Sequence, residues 1–153
     1  LVLPGMEERG SGAVVSISSA SARNPSPLLA EYAGAKGFAI HFTESLSIEY
    51  ANKGISFQCQ TPLYVASKLS KMRPSLQTPT PKAFVRAGVA RIGYEAVCSP
   101  YWVHSLMLWL LSDVLPNFVT NTIINKMHHG IRKAGLRKRA RLENEAANGK
   151  KSK

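Results

Sequence analysis

The distribution of apolar and polar positions divides the chain into short blocks of different period. After the turn-like Arg9-Gly10-Ser11-Gly12 comes Ala13-Val14-Val15-Ser16-Ile17-Ser18-Ser19, a brief β-branched run that reads as a buried strand and turns polar at its end. Asn24-Pro25-Ser26-Pro27 interrupts regular structure, and the positions from about Leu28 to Asn52 follow a helical pattern closed by Gly54 in the place of a left-handed cap. Ile55-Ser56-Phe57-Gln58-Cys59-Gln60 alternates apolar and polar and reads as the next strand. Strand, helix and strand at this spacing predict a βαβ unit and hence a parallel sheet. Thr61-Pro62 ends that strand, and a loop with a short helix near Val65 to Met72 is expected after it. Thr80-Pro81 supplies an N-cap with proline at the first helical position, for a helix running to Ile92 and ending at Gly93.

From 96 to 112 the chain carries no Asp, Glu, Lys or Arg, and it is rich in large apolar residues from Trp102 to Leu111. The run is short of the roughly 20 residues that a membrane span needs, and Pro100 and His104 shorten it further. A buried or dimer-facing helix and a segment lying in a membrane surface are both compatible with it.

Charge changes the picture only at the end. The 153 residues carry a net charge of +11, but residues 126 to 153 hold ten of the twenty Lys and Arg against Glu143 and Glu145, a net +8. The remainder has the balance of an ordinary globular chain, with 44% hydrophobic and 19% charged residues overall. The basicity therefore belongs to a tail suited to an anionic membrane surface or RNA. Cys59 and Cys98 are far apart and His128-His129 are adjacent, so neither a disulfide framework nor metal-ligand spacing is indicated and no metal is expected.

Candidate chemistry rests on Tyr-x-x-x-Lys, which occurs twice, as Tyr32 to Lys36 and as Tyr64 to Lys68. Only the first lies in the opening turns of a predicted helix, thirteen residues after Ser19 at the carboxyl end of a predicted strand. Side chains four apart on a helix share a face. Tyrosine is a poor acid or base at neutral pH, and a lysine ammonium one turn away favours the phenolate, so such a pair suits proton transfer to a carbonyl oxygen. A serine at the neighbouring strand end can hydrogen-bond the same oxygen, and the carboxyl ends of parallel strands are where ligands bind.

Ser19, Tyr32 and Lys36 resemble the Ser-Tyr-Lys set of the short-chain dehydrogenase/reductase family, and Leu3-Pro4-Gly5-Met6 with Gly12 to Ser19 resembles the helix end and strand leading to it. The similarity covers most of residues 1 to 112. It implies that Tyr32 is the general acid, that Ser19 positions the substrate carbonyl, and that Lys36 binds the nicotinamide ribose and tunes the tyrosine. Pro62-Leu63-Tyr64-Val65-Ala66-Ser67-Lys68-Leu69 is similar to the microsomal group of very-long-chain 3-oxoacyl-CoA reductases and 17β-hydroxysteroid dehydrogenases. Gln58-Cys59-Gln60, Gly93-Tyr94-Glu95 and Pro100 to Leu106 look closest to its plant members. With Tyr32 and Lys36, the residues Pro62, Val65 and Ser67 are then cofactor candidates.

The resemblance implies an α/β chain forming the C-terminal half of a Rossmann-like doubly wound parallel sheet, with a hydrophobic segment and a basic tail. The division expected is 1–112 for the dehydrogenase part, 113–125 for a hydrophobic connection and 126–153 for the tail. The family's glycine-rich cofactor turn and its Asn-Ala-Gly segment are not in the sequence, so tight dinucleotide binding is not expected of these residues alone. The activity implied is reduction of a 3-oxoacyl-CoA in fatty-acid elongation with NADPH, NADH being the alternative, beside other elongase subunits and as a possible homodimer. Gly34 and Gly37 imply a close helix contact. Lys150-Lys151-Ser152-Lys153 matches a dilysine retrieval signal, which implies an endoplasmic-reticulum membrane protein with its catalytic domain and tail in the cytosol. A 17-ketosteroid substrate, or a non-catalytic membrane or RNA module built on the tail, are the alternatives. An apolar substrate pocket is expected from Leu63 to Met72 and Phe84 to Trp109.

Overall fold

The computed structural model describes residues 2–151, and side chains up to residue 145. Three strands, β1 (Gly12–Ile17), β2 (Ile55–Gln60) and β3 (Val97–Cys98), form a parallel sheet in that order. Its helices are α1 (Leu3–Arg9), α2 (Ala30–Glu49), α3 (Pro81–Val89), α4 (Trp102–Trp109) and α5 (Asn117–Lys151). The register is continuous from Gly12 opposite Ile55 to Ile17 opposite Gln60, and Cys59 and Gln60 pair with Val97 and Cys98. The expected parallel α/β half-sheet is therefore present.

β2 is the centre of the fold. Five of its six residues are buried, with Phe57 packed against Tyr50 at a centroid distance of 5.3 Å. Its two glutamines are buried because each amide finds partners: Gln58 donates to the carbonyls of Arg91 and Glu95, and Gln60 donates to Gln58 Oε1 and Gly88 O. Those bonds hold the end of α3 and the turn after it against the sheet. An unpaired buried amide would cost more than a satisfied one gains. β1 is different, for Val15 and Ile17 are exposed and its outer edge has no strand beside it among the described residues. Gly54 joins α2 to β2 at φ +68, and a Cβ there would lie 2.0 Å from Gly10 O. Only glycine satisfies both the left-handed backbone and the close approach.

Several expectations are corrected. No helix forms at Val65 to Met72, where a turn is closed by Ser70 Oγ donating to Val65 O and accepting from Ser67 N. Serine hydroxyls compete there for the backbone groups that a helix would use. β1 ends at Ile17 rather than Ser19, and α3 ends at Val89, with turn structure to Gly93 at φ +90. A Cβ at Gly34 or Gly37 meets nothing within 4 Å, so neither makes a close contact within the chain. Residues 117–151 form one helix that runs across the 125/126 boundary. Its Lys, Arg, Leu, Glu and Ala residues favour a helix although Gly130 and Gly135 do not, and Arg139–Glu143 and Arg141–Glu145 pair at i,i+4 spacing. Among the described residues no helix is long and apolar enough to cross a membrane. The dilysine signal lies partly outside the described residues, at Ser152 and Lys153.

Candidate active site

The carboxyl ends of β1 and β2 lie side by side and carry the candidate residues. Ser18 N donates to Gln60 O and Ala20 N to Pro62 O, which extends the ladder past the strands and fixes the chain on either side of Ser19. Ser19 has extended backbone and caps the 3₁₀ turn Ala20–Ala22. Its Oγ accepts from Ser21 N at 3.3 Å and from Ser21 Oγ at 3.0 Å. A hydroxyl that accepts in this way keeps its own proton for a further acceptor.

Tyr32 and Lys36 share one face of α2, with Lys36 Nζ 5.8 Å from the centroid of the Tyr32 ring. The same ammonium donates to Ile17 O at 2.9 Å, reaching from the helix to the end of β1. The helix is pinned at that level by Ser18 Oγ, which donates to Lys36 O at 2.7 Å. Tyr32 is 47% exposed, open to a ligand arriving above the sheet. The structure thus brings Tyr32, Lys36 and the end of the Ser19 strand together, while the Ser19 hydroxyl is engaged with Ser21.

The second match is arranged otherwise. Tyr64 and Lys68 lie in irregular chain between β2 and α3, without the helical turn that would place them on one face. Pro62, Val65 and Ser67 belong to this loop, which leaves the sheet beside Ala20. It is held from beneath by His104, which is fully buried. Leu63 N donates to His104 Nδ1 at 3.3 Å, and His104 Nε2 donates to Gln77 O at 3.0 Å. Burial pushes the imidazole below its ordinary value, opposed more weakly by its backbone hydrogen bonds to Gln77 and Tyr64. The neutral ring therefore ties both ends of the loop to α4. Burial likewise pushes the Cys59 and Cys98 thiols up, so both are poor nucleophiles.

Two further residues were not singled out from the sequence. His128 on α5 donates from Nδ1 to Pro27 O at 2.7 Å, holding that helix against the segment between Ser19 and Tyr32. Arg132 stands one turn later, and with Leu28, Leu29, Tyr64, His128 and Ile131 it lines a cavity of about 490 Å³. This cavity lies at the start of α2 and shares only Tyr64 with the stretches from which an apolar pocket was expected. The adjacency of His128 to His129 spoke only against metal binding, and nothing in the local pattern marked the contact 101 residues away.

A nicotinamide cofactor fits what is present in part. Lys36 and the Pro62–Ser67 loop lie at the carboxyl ends of β1 and β2, where a ligand of a parallel sheet binds, whereas no described strand-to-helix junction carries a glycine-rich turn for a pyrophosphate.

Residues 1–77 match the family model described as short chain dehydrogenase. The chain is 41% identical over 139 residues to the very-long-chain 3-oxoacyl-CoA reductase of Macaca fascicularis, covering 90% of this chain and 44% of that protein. The human protein of the same name is 39% identical over 139 residues, with the same coverage. The chain thus spans a little under half the length of the curated relatives it matches. Among solved structures, a 7beta-hydroxysteroid dehydrogenase superposes with a TM-score of 0.69 at 17% identity, over 81% of this chain and 51% of that one. A 3-ketoacyl-(acyl-carrier-protein) reductase from Brucella melitensis complexed with NADH gives 0.55 at 21% identity, over 64% and 47%. The likeness of these two shows the fold, and the family model covers half of the chain: the chain belongs to the short chain dehydrogenase family.

Proposed function

We propose that the protein reduces the 3-oxo group of a long or very-long-chain acyl-CoA to the 3-hydroxy form, a step of fatty-acid elongation, with Ser19, Tyr32 and Lys36 as its catalytic residues. The observation that carries this reading is Lys36, whose ammonium lies beside Tyr32 and is anchored on Ile17 O at the carboxyl end of β1. The relatives' printed names supply the substrate class.

Bound NADPH supplies the hydride. Tyr32 delivers its phenolic proton to the substrate oxygen as that oxygen gains charge. Ser19 donates a hydrogen bond from its hydroxyl to the same atom while keeping its proton, and Ser21, donating into Ser19 Oγ, strengthens that bond. Lys36 keeps its ammonium beside the Tyr32 ring as the proton leaves, and it would hold the nicotinamide ribose. Pro62, Val65 and Ser67 would hold the nicotinamide, from a loop kept in place by His104. NADPH is preferred over NADH on the resemblance.

The protein works at the endoplasmic-reticulum membrane, with its catalytic part and tail in the cytosol beside other elongase subunits; the dilysine pattern and the basic α5 support this placement. A homodimer forms across α2, where Phe38 and Phe42 stack at 5.7 Å on an exposed face and Gly34 and Gly37 leave room for a second helix. The test is turnover by the intact protein of 3-oxoacyl-CoA against a 17-ketosteroid, each with NADPH and NADH. Preference for the acyl-CoA with NADPH is expected, and a large excess of specificity for the steroid would overturn the substrate assignment.

A further inference from the structure

The cavity beside α2 combines two chemistries. Leu28, Leu29 and Ile131 give it apolar walls, Tyr64 adds a ring, and Arg132 brings a cationic group from α5. Its volume of about 490 Å³ lies in the range of small-molecule sites. Leu28 is held at φ +67, a conformation that L residues adopt at a cost, and its side chain is 48% exposed. Strain that presents an apolar side chain to a cavity is characteristic of a ligand site. The cavity's position is also fixed. His128 clamps α5 to Pro27 O, Asn24 Nδ2 donates to Ser112 Oγ, and Thr120 Oγ1 donates to Leu111 O, so the helix cannot slide along the segment that leads into Tyr32. Leu29, on the cavity wall, stands three residues before Tyr32 at the start of α2, so one wall lies about a helical turn from the candidate acid.

We propose that this cavity receives the pantetheine arm of the acyl-CoA, with Arg132 as the anchor for a phosphate of the carrier. The apolar walls suit the methyl and methylene groups of the arm and the first carbons of the acyl chain. A guanidinium pairs with a phosphate through two parallel hydrogen bonds, which gives orientation as well as affinity. A steroid carries no such anion and would leave Arg132 without a role. The proposal rests on the reductase reading above and adds to it the residue that reads the carrier.

The experiment uses the intact protein and two substrates with the same 3-oxoacyl group, the CoA thioester and the N-acetylcysteamine thioester, which lacks the phosphates. Arg132→Gln should raise KM for the CoA thioester about tenfold more than for the short thioester, with the effect in KM rather than kcat. Arg139→Gln removes the same charge seven residues further along α5 and should leave the ratio of the two KM values at its wild-type level. Equal shifts for both thioesters, or the same change of ratio in Arg139→Gln, would overturn the proposal. Calorimetric binding of palmitoyl-CoA, which has no 3-oxo group to reduce, separates this claim from the reductase reading. Binding weakened by Arg132→Gln in a protein that reduces neither thioester would sink the reductase reading and support the cavity. Normal reduction with palmitoyl-CoA binding unaffected by Arg132→Gln would do the reverse.

Discussion

The same five-residue pattern occurs at Tyr32 to Lys36 and at Tyr64 to Lys68, and the fold treats the two in opposite ways. The first is wound into α2, so its lysine can reach across to Ile17 O while staying 5.8 Å from the tyrosine ring. The second is spread along a loop whose backbone bonds go to Ser70 and His104, so its tyrosine and lysine have no common face. Both tyrosines are more than two-fifths exposed, so exposure does not separate them. What separates them is whether a rigid element fixes the lysine relative to the tyrosine and to a strand end. A motif carries chemistry only through the geometry that its secondary structure imposes.

The largest expected effect follows at Tyr32. Tyr32→Phe removes one hydroxyl and keeps the ring, so packing survives. In the intact protein turnover should fall by about 10² to 10⁴, the usual contribution of a positioned general acid, with cofactor affinity little changed. Steady-state kinetics with 3-oxoacyl-CoA measure it, and full activity would remove Tyr32 from the mechanism. Lys36→Met comes next. It deletes both the charge beside Tyr32 and the bond to Ile17 O, so turnover should fall by about 10² with a raised KM for NADPH. A change in kcat alone would limit Lys36 to the tyrosine and deny it the ribose.

The contrast between the two matches was legible in the sequence because it depends on local signals. Ile55–Gln60 was readable to the residue, since its alternation is bounded by Gly54 and by Thr61-Pro62. The serine offset and the helix start placed Tyr32 and Lys36. Contacts between distant segments left no such trace. His104 sits in an apolar run where it reads as an interruption, and its partners Leu63 and Gln77 are 41 and 27 residues away. Arg132 was read as one charge in a basic tail, because nothing local shows that His128 brings its helix turn to Pro27. The absent helix at Val65 to Met72 was lost to serine side chains whose competition with the backbone depends on how the loop is anchored.

A smaller effect tests that anchoring. His104→Leu leaves Leu63 N–H and Gln77 O without partners in a half-buried setting and should lower stability by about 2 kcal/mol in chemical denaturation. The pH dependence has a definite sign. The folded imidazole titrates below the ordinary value of 6.5, so the unfolded chain binds the extra proton first. Stability from this group is fully present above about 6.5 and declines as pH falls from there toward the folded value, below which it changes no further. In His104→Leu that portion of the acid-side decline should vanish, and an unchanged profile would show that other groups set it.

The smallest effect belongs to Tyr64, and it decides whether the comparison holds. Tyr64→Phe takes the hydroxyl from the second match and leaves the ring that lines the cavity beside Leu28 and Arg132. If that residue contributes only apolar surface, kcat should stay within about threefold of wild type, because a half-exposed hydroxyl can be replaced by water. A shift in KM for the acyl-CoA is compatible with its place on the cavity wall; a collapse of kcat is not. Loss of turnover in Tyr64→Phe with Tyr32→Phe still active would exchange the two matches. Ser19 and Lys36 would then lose their roles, for Lys36 is placed beside Tyr32 and the serine was chosen by its offset from Tyr32.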